Sequence, residues 1–360
     1  MTQGGDERKA MSGNVVVAMS GGVDSSVAAA LLVEQGYSVT GVMMRLWAET
    51  DNRCCTPEAV ADARRVAEQL GIPFHVVSYE AEFKACVVDH FLSEYSRGRT
   101  PNPCLSCNRH IRFRRLLDHA RNLGAEYMAT GHYAQVDQLD GRYRLRMGLD
   151  SQKDQSYVLY MLGQDDLKHL MFPVGASEKT EISAFARQRG LPVADKDESM
   201  EICFVGDDDY RRFLSERIPW AVQPGPILDT DGKEIGRHKG LPFYTIGQRR
   251  GLGIAAPEAL YVIRLDIEAN ALFAGSAREL GRKSLLADQV SYVDGAPPKQ
   301  PVRVRAKIRY RATLTDAIWR PLTEDRVSVD FETPLRDITP GQAVVAYQGD
   351  SVLGGGIISE

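Results

Sequence analysis

The sequence lacks the features that mark membrane-spanning, secreted and disordered chains. No window holds the roughly 18 consecutive apolar residues that a membrane helix needs. The first residues, MTQGGDERKAM, contain neither an apolar signal core nor an Arg- and Ser-rich transit pattern. No low-complexity tract interrupts the chain, and 43% hydrophobic with 26% charged residues is typical of a globular protein. We therefore expect a folded cytoplasmic protein with no membrane partner.

Cysteine is scarce as well, which excludes a structural disulfide framework. The chain has 6 cysteines in 360 residues, whereas small disulfide-stapled domains carry them far more densely. In a large chain expected in the cytoplasm, they are better interpreted as buried, metal-binding or redox-active thiols. They are Cys54, Cys55, Cys86, Cys104, Cys107 and Cys203.

An excess of positive charge is also missing, since 44 Lys and Arg against 48 Asp and Glu give a net charge of −4. The cations are nevertheless clustered, between Arg97 and Arg121 and again between Arg303 and Arg311. In the second stretch the odd positions are all Arg or Lys and the even positions are apolar or aromatic. Because side chains alternate along a strand, we expect five cations on one face, at 303, 305, 307, 309 and 311. That face could follow a phosphate backbone or simply be solvated.

The length of 360 residues suggests two or three domains. Strand-like runs at 14–19, 38–44, 74–77 and 126–129 alternate with helical patterns at 23–35, 57–70, 81–96 and 109–122. This alternation predicts an α/β domain, a doubly wound, mostly parallel sheet with ligands at the carboxyl ends of its strands. Later segments are short, β-type and rich in turns, typical of an antiparallel barrel or sandwich. We expect a catalytic domain at 1–205, a small middle domain at 206–280 and a β-barrel at 281–360.

The run SGGVDSS, from Ser20 to Ser26, lies between the first strand and the first helix. Its glycines let the backbone approach an anion, and its amides and the helix dipole attract phosphate. We expect a side chain at Gly22 to clash. No GxxxxGK[ST] pattern is present, so the lysine that usually meets the β and γ phosphates is missing. The run resembles the PP-loop of the ATP pyrophosphatases, which cleave ATP between its α and β phosphates.

A second glycine-rich run, GLGIAA at 251–256, matches half of the dinucleotide-binding fingerprint. Pro257 follows it directly and no apolar strand leads into it. We therefore interpret it as a turn that shapes the middle domain.

The run PNPCLSCN, at 101–108, places two cysteines at CxxC spacing among arginines. This spacing suits a redox pair, a zinc half-site or iron–sulfur ligation, and the motif alone does not choose between them. Nearby positive charge lowers the pKa of a thiol, so either Cys104 or Cys107 is a candidate nucleophile. A closed zinc site would need a second pair, either Cys54 with Cys55 or Cys86 with Cys203.

Several longer blocks carry a resemblance over nearly the whole chain. They are SGGVDSSVAAALLVEQGYSVTGVMM, TPNPCLSCNRHIRF, ATGHYAQV, KDQSYVLYML, EICFVG, GLPFYTIGQRRGLGI, PGQAVVAY and LGGGII. In content and order these blocks closely resemble the bacterial tRNA-specific 2-thiouridylases, members of the PP-loop superfamily. The resemblance implies an enzyme that replaces the C2 oxygen of the wobble uridine of tRNA by sulfur.

The resemblance also implies a role for individual residues. Cys107 is the implied nucleophile and Cys203 the implied persulfide carrier, and the two are left as a disulfide after sulfur transfer. The implied ATP contacts are Ala18, Met19, Ser20, Gly21, Gly22, Val23, Asp24, Ser25, Met44 and Gly131. The implied tRNA contacts are Asn102, Pro103, Cys104, His132, Lys153, Asp154, Gln155, Arg309, Tyr310 and Gln342.

The implied small molecules and partners are ATP, Mg²⁺ on its phosphates, tRNA, and a cysteine desulfurase or relay protein that donates a persulfide. Some family members carry Asp where this chain has Cys104, so a proton-transfer role at that position is not expected here. Cys104, Cys107 and Cys203 become candidate ligands of a [4Fe–4S] cluster. Two rival classes share some of these features, namely a PP-loop amide-forming ligase and an RNA-binding protein without turnover.

Overall fold

The computed structural model describes residues 13–49, 56–196 and 202–360. Cys54 and Cys55, the candidates for a second metal-binding pair, lie outside these ranges. Within the described ranges, no helix is both long enough and apolar enough to cross a membrane.

The first half of the chain forms the expected parallel sheet. Its strands lie in the order β3-β2-β1-β4-β7, and each pairs in parallel with its neighbour. The four strand-like runs of the sequence correspond to the first four strands to within about a residue at each end. The strands are β1 Asn14–Ala18, β2 Ser38–Arg45, β3 Phe74–Ser78, β4 Tyr127–Thr130 and β7 Leu170–Met171.

Helices cover this sheet, as the alternation predicted. Two long helical stretches include π-helical segments, at Lys84–Val88 and Asn108–Leu116, and short 3₁₀ turns occur at Ser156–Leu159 and Leu241–Phe243. The α-helices are α1 Val23–Glu34, α2 Pro57–Leu70, α3 Glu80–Phe83, α4 Asp89–Ser96, α5 Pro103–Cys107, α6 Leu117–Asn122, α7 Gln164–Leu167, α8 Lys179–Gln188 and α9 Tyr210–Arg217.

The central strand β1 explains why helices lie on both faces of the sheet. Val15 and Val17 are buried in one apolar cluster with residues of α1, α2 and α8. Val16, which points to the opposite face, is buried in a second cluster with residues of α4 and α6. Because successive side chains of a strand alternate, a continuous apolar run needs cover on both sides. The doubly wound architecture is therefore confirmed.

A small mixed sheet follows in the middle of the chain, in the order β10-β11-β8-β9. Leu252 of the GLGIAA run is buried in its core, and Gly251 and Gly253 have φ values of +83° and +69°. The run is therefore a turn, as its sequence context predicted. The strands are β8 Gly225–Leu228, β9 Glu234–His238, β10 Tyr261–Asp266 and β11 Ala271–Gly275.

The last part of the chain is a closed antiparallel barrel, which confirms the expected fold class. Closure occurs because β12 pairs with both β15 and β17. Trp319 fills the core and donates a hydrogen bond from its indole nitrogen to the Tyr292 hydroxyl at 3.3 Å. The strands are β12 Arg282–Tyr292, β13 Val302–Lys307, β14 Thr315–Pro321, β15 Val327–Leu335, β16 Ala343–Gln348 and β17 Ser351–Ile358.

A hairpin from the first half of the chain extends the barrel sheet, which the sequence did not predict. It consists of β5 Ala134–Leu139 and β6 Arg142–Met147, and Arg146 pairs with Ser351 of β17. The Arg146 guanidinium also bridges Asp137 of the hairpin and Asp350 of the barrel. The catalytic part and the barrel are thus joined directly.

The basic stretch from Arg303 to Arg311 differs from the strand that its sequence predicted. Val304, Ala306 and Ile308 enter the barrel core as predicted. The strand ends at Lys307, however, so the period-two pattern does not reach Arg309. Lys307 is also only 8% exposed, and its ammonium pairs with the buried Asp154 carboxylate at 3.3 Å. The expectation of five cations on one exposed face is therefore wrong.

Lys307→Ala should lower the free energy of unfolding by about 3–5 kcal/mol, the usual cost of leaving one charge of a buried pair alone. The matched control is Arg303→Ala on the same strand, where Arg303 is exposed and the change should be within about 0.5 kcal/mol. Chemical denaturation followed by tryptophan fluorescence checks both values. Equal effects of the two changes would mean that Lys307 is solvated like its neighbour.

Candidate ATP and thiol site

The candidate site lies where the strand order of the parallel sheet reverses. The chain runs outward from β1 to β3 and then returns to place β4 on the other side of β1. Ala18 at the end of β1 pairs with Thr130 at the end of β4. The loops after these two strands therefore share one crevice, which is where open α/β sheets bind ligands.

Gly131 is the closest contact between these two loops. A Cβ atom at Gly131 would lie 2.7 Å from both the Asp24 carbonyl carbon and the Ser25 nitrogen. No side chain fits at that distance, so glycine is required for the ATGHY segment to pack against the start of α1. The structure therefore brings together Gly131 and the phosphate loop, as expected for two parts of one nucleotide site.

Hydroxyl groups hold the loop from Ser20 to Ser26 in its turn. The Ser25 hydroxyl accepts a hydrogen bond from the Ser20 amide at 3.2 Å and donates to the Gly22 carbonyl oxygen at 3.2 Å. The Ser26 hydroxyl donates to the same carbonyl at 2.8 Å. Helix α1 begins at Val23, with Gly22 as its N-cap and no side chain capping it. The first-turn amides of α1 are therefore not occupied by a side-chain cap, which suits an anion.

The two glycines of the loop have different roles. Gly21 has a φ of +71°, and a Cβ there would lie 2.4 Å from the Ala59 carbonyl oxygen. Gly22 has a φ of −104°, and its Cβ would meet only the Ser20 hydroxyl at 3.4 Å, an ordinary contact. The clash expected at Gly22 is therefore wrong, and Gly21 is the position that requires glycine.

Two lysines from distant parts of the chain reach the phosphate loop, and sequence reasoning missed both. The Lys179 ammonium at the start of α8 donates to the Asp24 carboxylate at 2.6 Å. The Lys196 ammonium donates to the Gly21 carbonyl oxygen at 3.0 Å and to Asp62 at 2.7 Å. They bring positive charge to a loop that has no Walker lysine. A lysine beside a loop aspartate leaves no local sequence signal when the two are 155 residues apart.

His132 is buried directly after Gly131. The Arg112 guanidinium lies 3.4 Å from Nε2 and can only donate, so Nε2 accepts and the ring proton is on Nδ1. Nδ1 then donates to the Thr130 hydroxyl at 2.7 Å. Burial, with the Arg112 charge second, holds the pKa of His132 well below its usual value. The ring is therefore neutral at pH 7, and its contact with tRNA stays a prediction.

Cys107 lies at the end of α5, a helix whose start is well defined. The Asn102 side chain caps it by accepting from the Cys104 amide at 3.0 Å, and Pro103 occupies the first turn. Cys107 is 7% exposed and packs in the apolar core, whereas Cys104 is exposed. The next residue, Asn108, is fixed by donating to the Val158 carbonyl oxygen at 2.8 Å. The candidate nucleophile therefore has a rigid support.

Cys203 is half-buried at the edge of the same apolar cluster as Cys107 and Met44. The adjacent Phe204 is fully buried, with edge-to-face contacts to Phe91 at 5.3 Å and Phe213 at 5.7 Å between ring centres. Such aromatic packing fixes the backbone beside the thiol. Both Cys107 and Cys203 are thiols in the structure rather than a disulfide.

Arg212 ties the segment after Cys203 to the segment after β2. Its guanidinium pairs with Glu49 at 2.6 Å, with Asp207 at 2.6 Å and with Glu216 at 2.7 Å. Its hydrogen bond lowers the pKa of Asp207 to about 2 and also lowers the pKa of Glu49. The link reaches from the strand that carries Met44 to the segment that carries Cys203.

The described residues contain no site for a single metal ion. Across residues 13–49, 56–196 and 202–360, no three His, Cys, Asp or Glu side chains are close enough together to hold a metal ion. A zinc site built from Cys86 and Cys203 with the CxxC pair is therefore not formed. The ligands of a [4Fe–4S] cluster bind different irons and lie farther apart, so ligation of a cluster by Cys104, Cys107 and Cys203 stays a prediction.

Several candidate tRNA contacts meet at the junction between α5 and the barrel. The Gln342 side chain donates to the Thr100 carbonyl oxygen at 2.8 Å, two residues before Asn102. Arg309 donates to the Thr339 hydroxyl at 2.6 Å and to the Ile246 carbonyl oxygen of the middle part at 3.0 Å. Residues from all three parts of the chain thus line one region. Their contact with RNA stays a prediction.

The segment from Lys153 to Gln155 joins the crevice to the barrel. The Gln155 side chain accepts from the Tyr133 amide at 2.9 Å, and the Tyr133 hydroxyl donates to Asp24 at 2.8 Å. Asp154 is only 3% exposed and accepts from the amides of Gly148 and Ser156. The Asp154 side chain therefore supports the loop and the barrel, and a contact of this segment with tRNA stays a prediction. Tyr310 packs edge to face on Tyr157, with 6.2 Å between ring centres.

The fold and the site define an α/β protein with a PP-loop, two cysteines that share one apolar cluster, and a C-terminal β-barrel. Family models described as the tRNA methyl transferase HUP domain, PRC-barrel domain and Aminomethyltransferase beta-barrel domain match residues 13–207, 211–276 and 282–358.

Curated relatives identify the family. A tRNA-specific 2-thiouridylase MnmA of Roseiflexus castenholzii is 51% identical, covering 96% of this chain and 99% of the relative. The protein of the same name from Symbiobacterium thermophilum is also 51% identical, covering 96% of this chain and 91% of the relative. The chain belongs to the tRNA-specific 2-thiouridylase family.

A solved 4-thiouridine synthetase–RNA complex with bound ATP is a more distant match. It is 19% identical, with a TM-score of 0.36, and covers 57% of this chain and 50% of that chain.

Gly21→Ala should destabilise the protein by about 1–3 kcal/mol, because alanine is strained at a positive φ and its Cβ would meet the Ala59 carbonyl. Gly22→Ala is the matched control and should change stability by less than about 1 kcal/mol, since its backbone is extended and the position is open. Thermal unfolding without nucleotide checks the pair. A larger loss at Gly22 than at Gly21 would contradict the geometry of this loop.

Proposed function

We propose that this protein is a tRNA-uridine 2-sulfurtransferase that uses ATP to thiolate the wobble uridine of tRNA at C2. The observation that carries the proposal is that the chain combines a loop suited to an anion with two cysteines, Cys107 and Cys203, that share one apolar cluster. A carbonyl oxygen is a poor leaving group, so its replacement by sulfur needs both activation and a sulfur nucleophile. The relatives named above carry the name of this activity.

The phosphate loop is the part that activates the uridine. ATP binds along Ala18–Ser25, with Met44 and Gly131 beside the nucleotide. The α1 amides and the ammonium groups of Lys179 and Lys196 offset the phosphate charge. The C2 oxygen of the uridine attacks the α phosphate, the bond to the β phosphate breaks, and pyrophosphate leaves. When bound with ATP, Mg²⁺ supplies further charge neutralisation, and Asp24 is the loop carboxylate suited to hold it.

The two cysteines supply the sulfur. Cys203 receives a terminal sulfur as a persulfide, which attacks C2 directly or after release as hydrosulfide by Cys107. AMP leaves with the original C2 oxygen, and a Cys107–Cys203 disulfide remains to be reduced. Cys203 is more exposed than Cys107, which suits a residue that must meet a donor protein. We propose a cysteine desulfurase or a persulfide relay protein as that donor, and the cytoplasm as the compartment.

Further parts of the chain are needed because a base must leave its stack to reach such a site. We propose that residues 206–280 and 281–360 act as tRNA-binding domains beside the catalytic domain, residues 1–205. Arg309, Tyr310 and Gln342 are the proposed barrel contacts. The proposed contacts on the catalytic domain are Asn102, Pro103, Cys104, His132, Lys153, Asp154 and Gln155.

The family models include methyl transferase in their descriptions, and the site favours thiolation over methyl transfer. A phosphate loop with lysines on both sides serves a polyphosphate substrate, and a pair of thiols serves sulfur transfer. An amide-forming ligase would share the loop but would not need the thiols. The site therefore fits the activity named for the curated relatives.

Incubation with ATP, sulfide and unmodified tRNA, followed by nucleoside mass analysis, separates the candidate functions. A gain of 2-thiouridine supports the proposal. AMP formation without tRNA would indicate an amide-forming ligase, and neither product would indicate an RNA-binding protein without turnover.

With a persulfide donor in place of sulfide, Cys203→Ser and Cys107→Ser should each reduce 2-thiouridine formation by at least about 100-fold, because each removes a sulfur atom that reacts. Cys86→Ser is the matched control, and it should stay close to the wild-type rate. The Cys203 variant should retain tRNA affinity, measured by filter binding, because the thiol contacts no phosphate. Normal thiolation by the Cys203 variant with the persulfide donor would remove Cys203 from the mechanism.

A further inference from the structure

Cys104 and Cys107 lie one turn apart on the same side of helix α5. Residues three apart in a helix have Cβ atoms about 5–6 Å from each other. A disulfide needs Cα atoms about 4.4–6.8 Å apart and Cβ atoms about 3.5–4.5 Å apart. The two sulfurs can therefore be joined by a small tightening of this turn.

The start of α5 permits that tightening. The Cys104 amide bonds to the Asn102 side chain at 3.0 Å, so it has no helical carbonyl partner to lose. The preceding residue, Pro103, has no amide hydrogen. Cys107, in contrast, is followed by Asn108, which is buried and bonded to Val158. When a disulfide joins the two cysteines, we therefore expect Cys104 to move and Cys107 to stay in place.

The two thiols differ in their access to solvent. Cys104 is exposed, whereas Cys107 is 7% exposed and Cys203 is half-buried. A disulfide between Cys107 and Cys203 is therefore poorly placed for a reductant that approaches from solution. Thiol–disulfide exchange requires direct contact between the attacking sulfur and the sulfur attacked. Cys104 is the thiol on α5 that a reductant can reach.

The CxxC spacing suits a redox pair, and such a pair needs no ligand beyond its two cysteines. Zinc and iron–sulfur sites need further ligands. A redox role for this helix therefore depends only on Cys104 and Cys107.

We propose that Cys104 is the resolving thiol that reopens the Cys107–Cys203 disulfide after each turnover. The proposal rests on the proposed function, which produces that disulfide. The Cys104 thiol loses its proton to solvent, and its sulfur attacks Sγ of Cys107. A Cys104–Cys107 bond forms as the Cys107–Cys203 bond breaks, and Cys203 leaves with the electron pair and takes up a proton.

This exchange changes no overall oxidation state and returns Cys203 as a thiol that can accept the next sulfur. In the remaining Cys104–Cys107 disulfide, Cys104 is the exposed partner. A dithiol reductant from solution then supplies two electrons and two protons and becomes a disulfide itself. The pair thereby relays reducing equivalents from solvent to the buried site.

The test is a single turnover of the full-length protein loaded with persulfide, mixed with ATP and unmodified tRNA in the absence of reductant. Acid quenching, alkylation and trypsin digestion follow. Cys104 and Cys107 share one tryptic peptide, Thr100–Arg109, whereas Cys203 lies in Asp197–Arg211. The proposed product is therefore the first peptide lighter by two hydrogen atoms, together with alkylated Cys203. If Cys104 does not attack the Cys107–Cys203 disulfide, that disulfide keeps the two peptides cross-linked.

In the wild-type protein we expect about one Cys104–Cys107 disulfide for each 2-thiouridine formed, with few cross-linked peptides. Cys104→Ser and Cys104→Asp should instead give the cross-linked peptides. A wild-type protein that gives mainly the cross-link would overturn the proposal while leaving the proposed function intact. Absence of 2-thiouridine in the wild-type first turnover would count against the proposed function instead.

A kinetic comparison provides a second readout. With a limiting dithiol reductant, the rate of later turnovers relative to the first should fall at least about tenfold in Cys104→Ser. Taking the ratio within each variant removes any effect of Cys104 on tRNA binding. Cys86→Ser, on the neighbouring π-helical segment, is the control and should keep the wild-type ratio. An unchanged ratio in Cys104→Ser would also overturn the proposal.

Discussion

The hydrogen bond from the Tyr133 hydroxyl to the Asp24 carboxylate, at 2.8 Å, connects the phosphate loop to the rest of the site. Tyr133 follows the Gly131–His132 segment, which packs on the loop because Gly131 has no side chain. Its backbone is bonded to Gln155, and the adjacent Asp154 pairs with Lys307 of the barrel. One continuous set of polar contacts thus runs from the nucleotide crevice to the C-terminal barrel. The position of the barrel relative to the crevice depends on it.

Burial gives these contacts their importance. Asp154 and Lys307 are both shielded from water, and a buried charge without its partner is strongly destabilising. Such a pair leaves few alternative arrangements for the segments that carry it. The neighbouring residues Lys153 and Gln155 are therefore held in place on the route by which tRNA is proposed to approach. The ion pair between Lys307 and Asp154 thus gives both residues a structural role that the sequence did not predict.

Local patterns in the sequence were sufficient for the first four strands of the parallel sheet and for the barrel core. The apolar run at 14–18 required cover on both faces, and period two correctly placed Val304 and Ala306 inside the barrel. The contacts that the sequence could not predict join residues that lie far apart along the chain. Lys179 meets Asp24 across 155 residues and Lys307 meets Asp154 across 153. The strand pattern after Lys307 also failed, because the chain turns there to bring Arg309 to Thr339 and Ile246.

The central claim is that ATP activates the C2 oxygen of the uridine itself. It is tested most directly with tRNA that carries ¹⁸O at C2 of the wobble uridine, incubated with ATP and a persulfide donor. Mass analysis of the released AMP then reports the fate of that oxygen. The account predicts one ¹⁸O atom in the phosphate of each AMP formed per 2-thiouridine. Unlabelled AMP accompanying full thiolation would contradict it, because the oxygen would then have left by a route that does not pass through the adenylate.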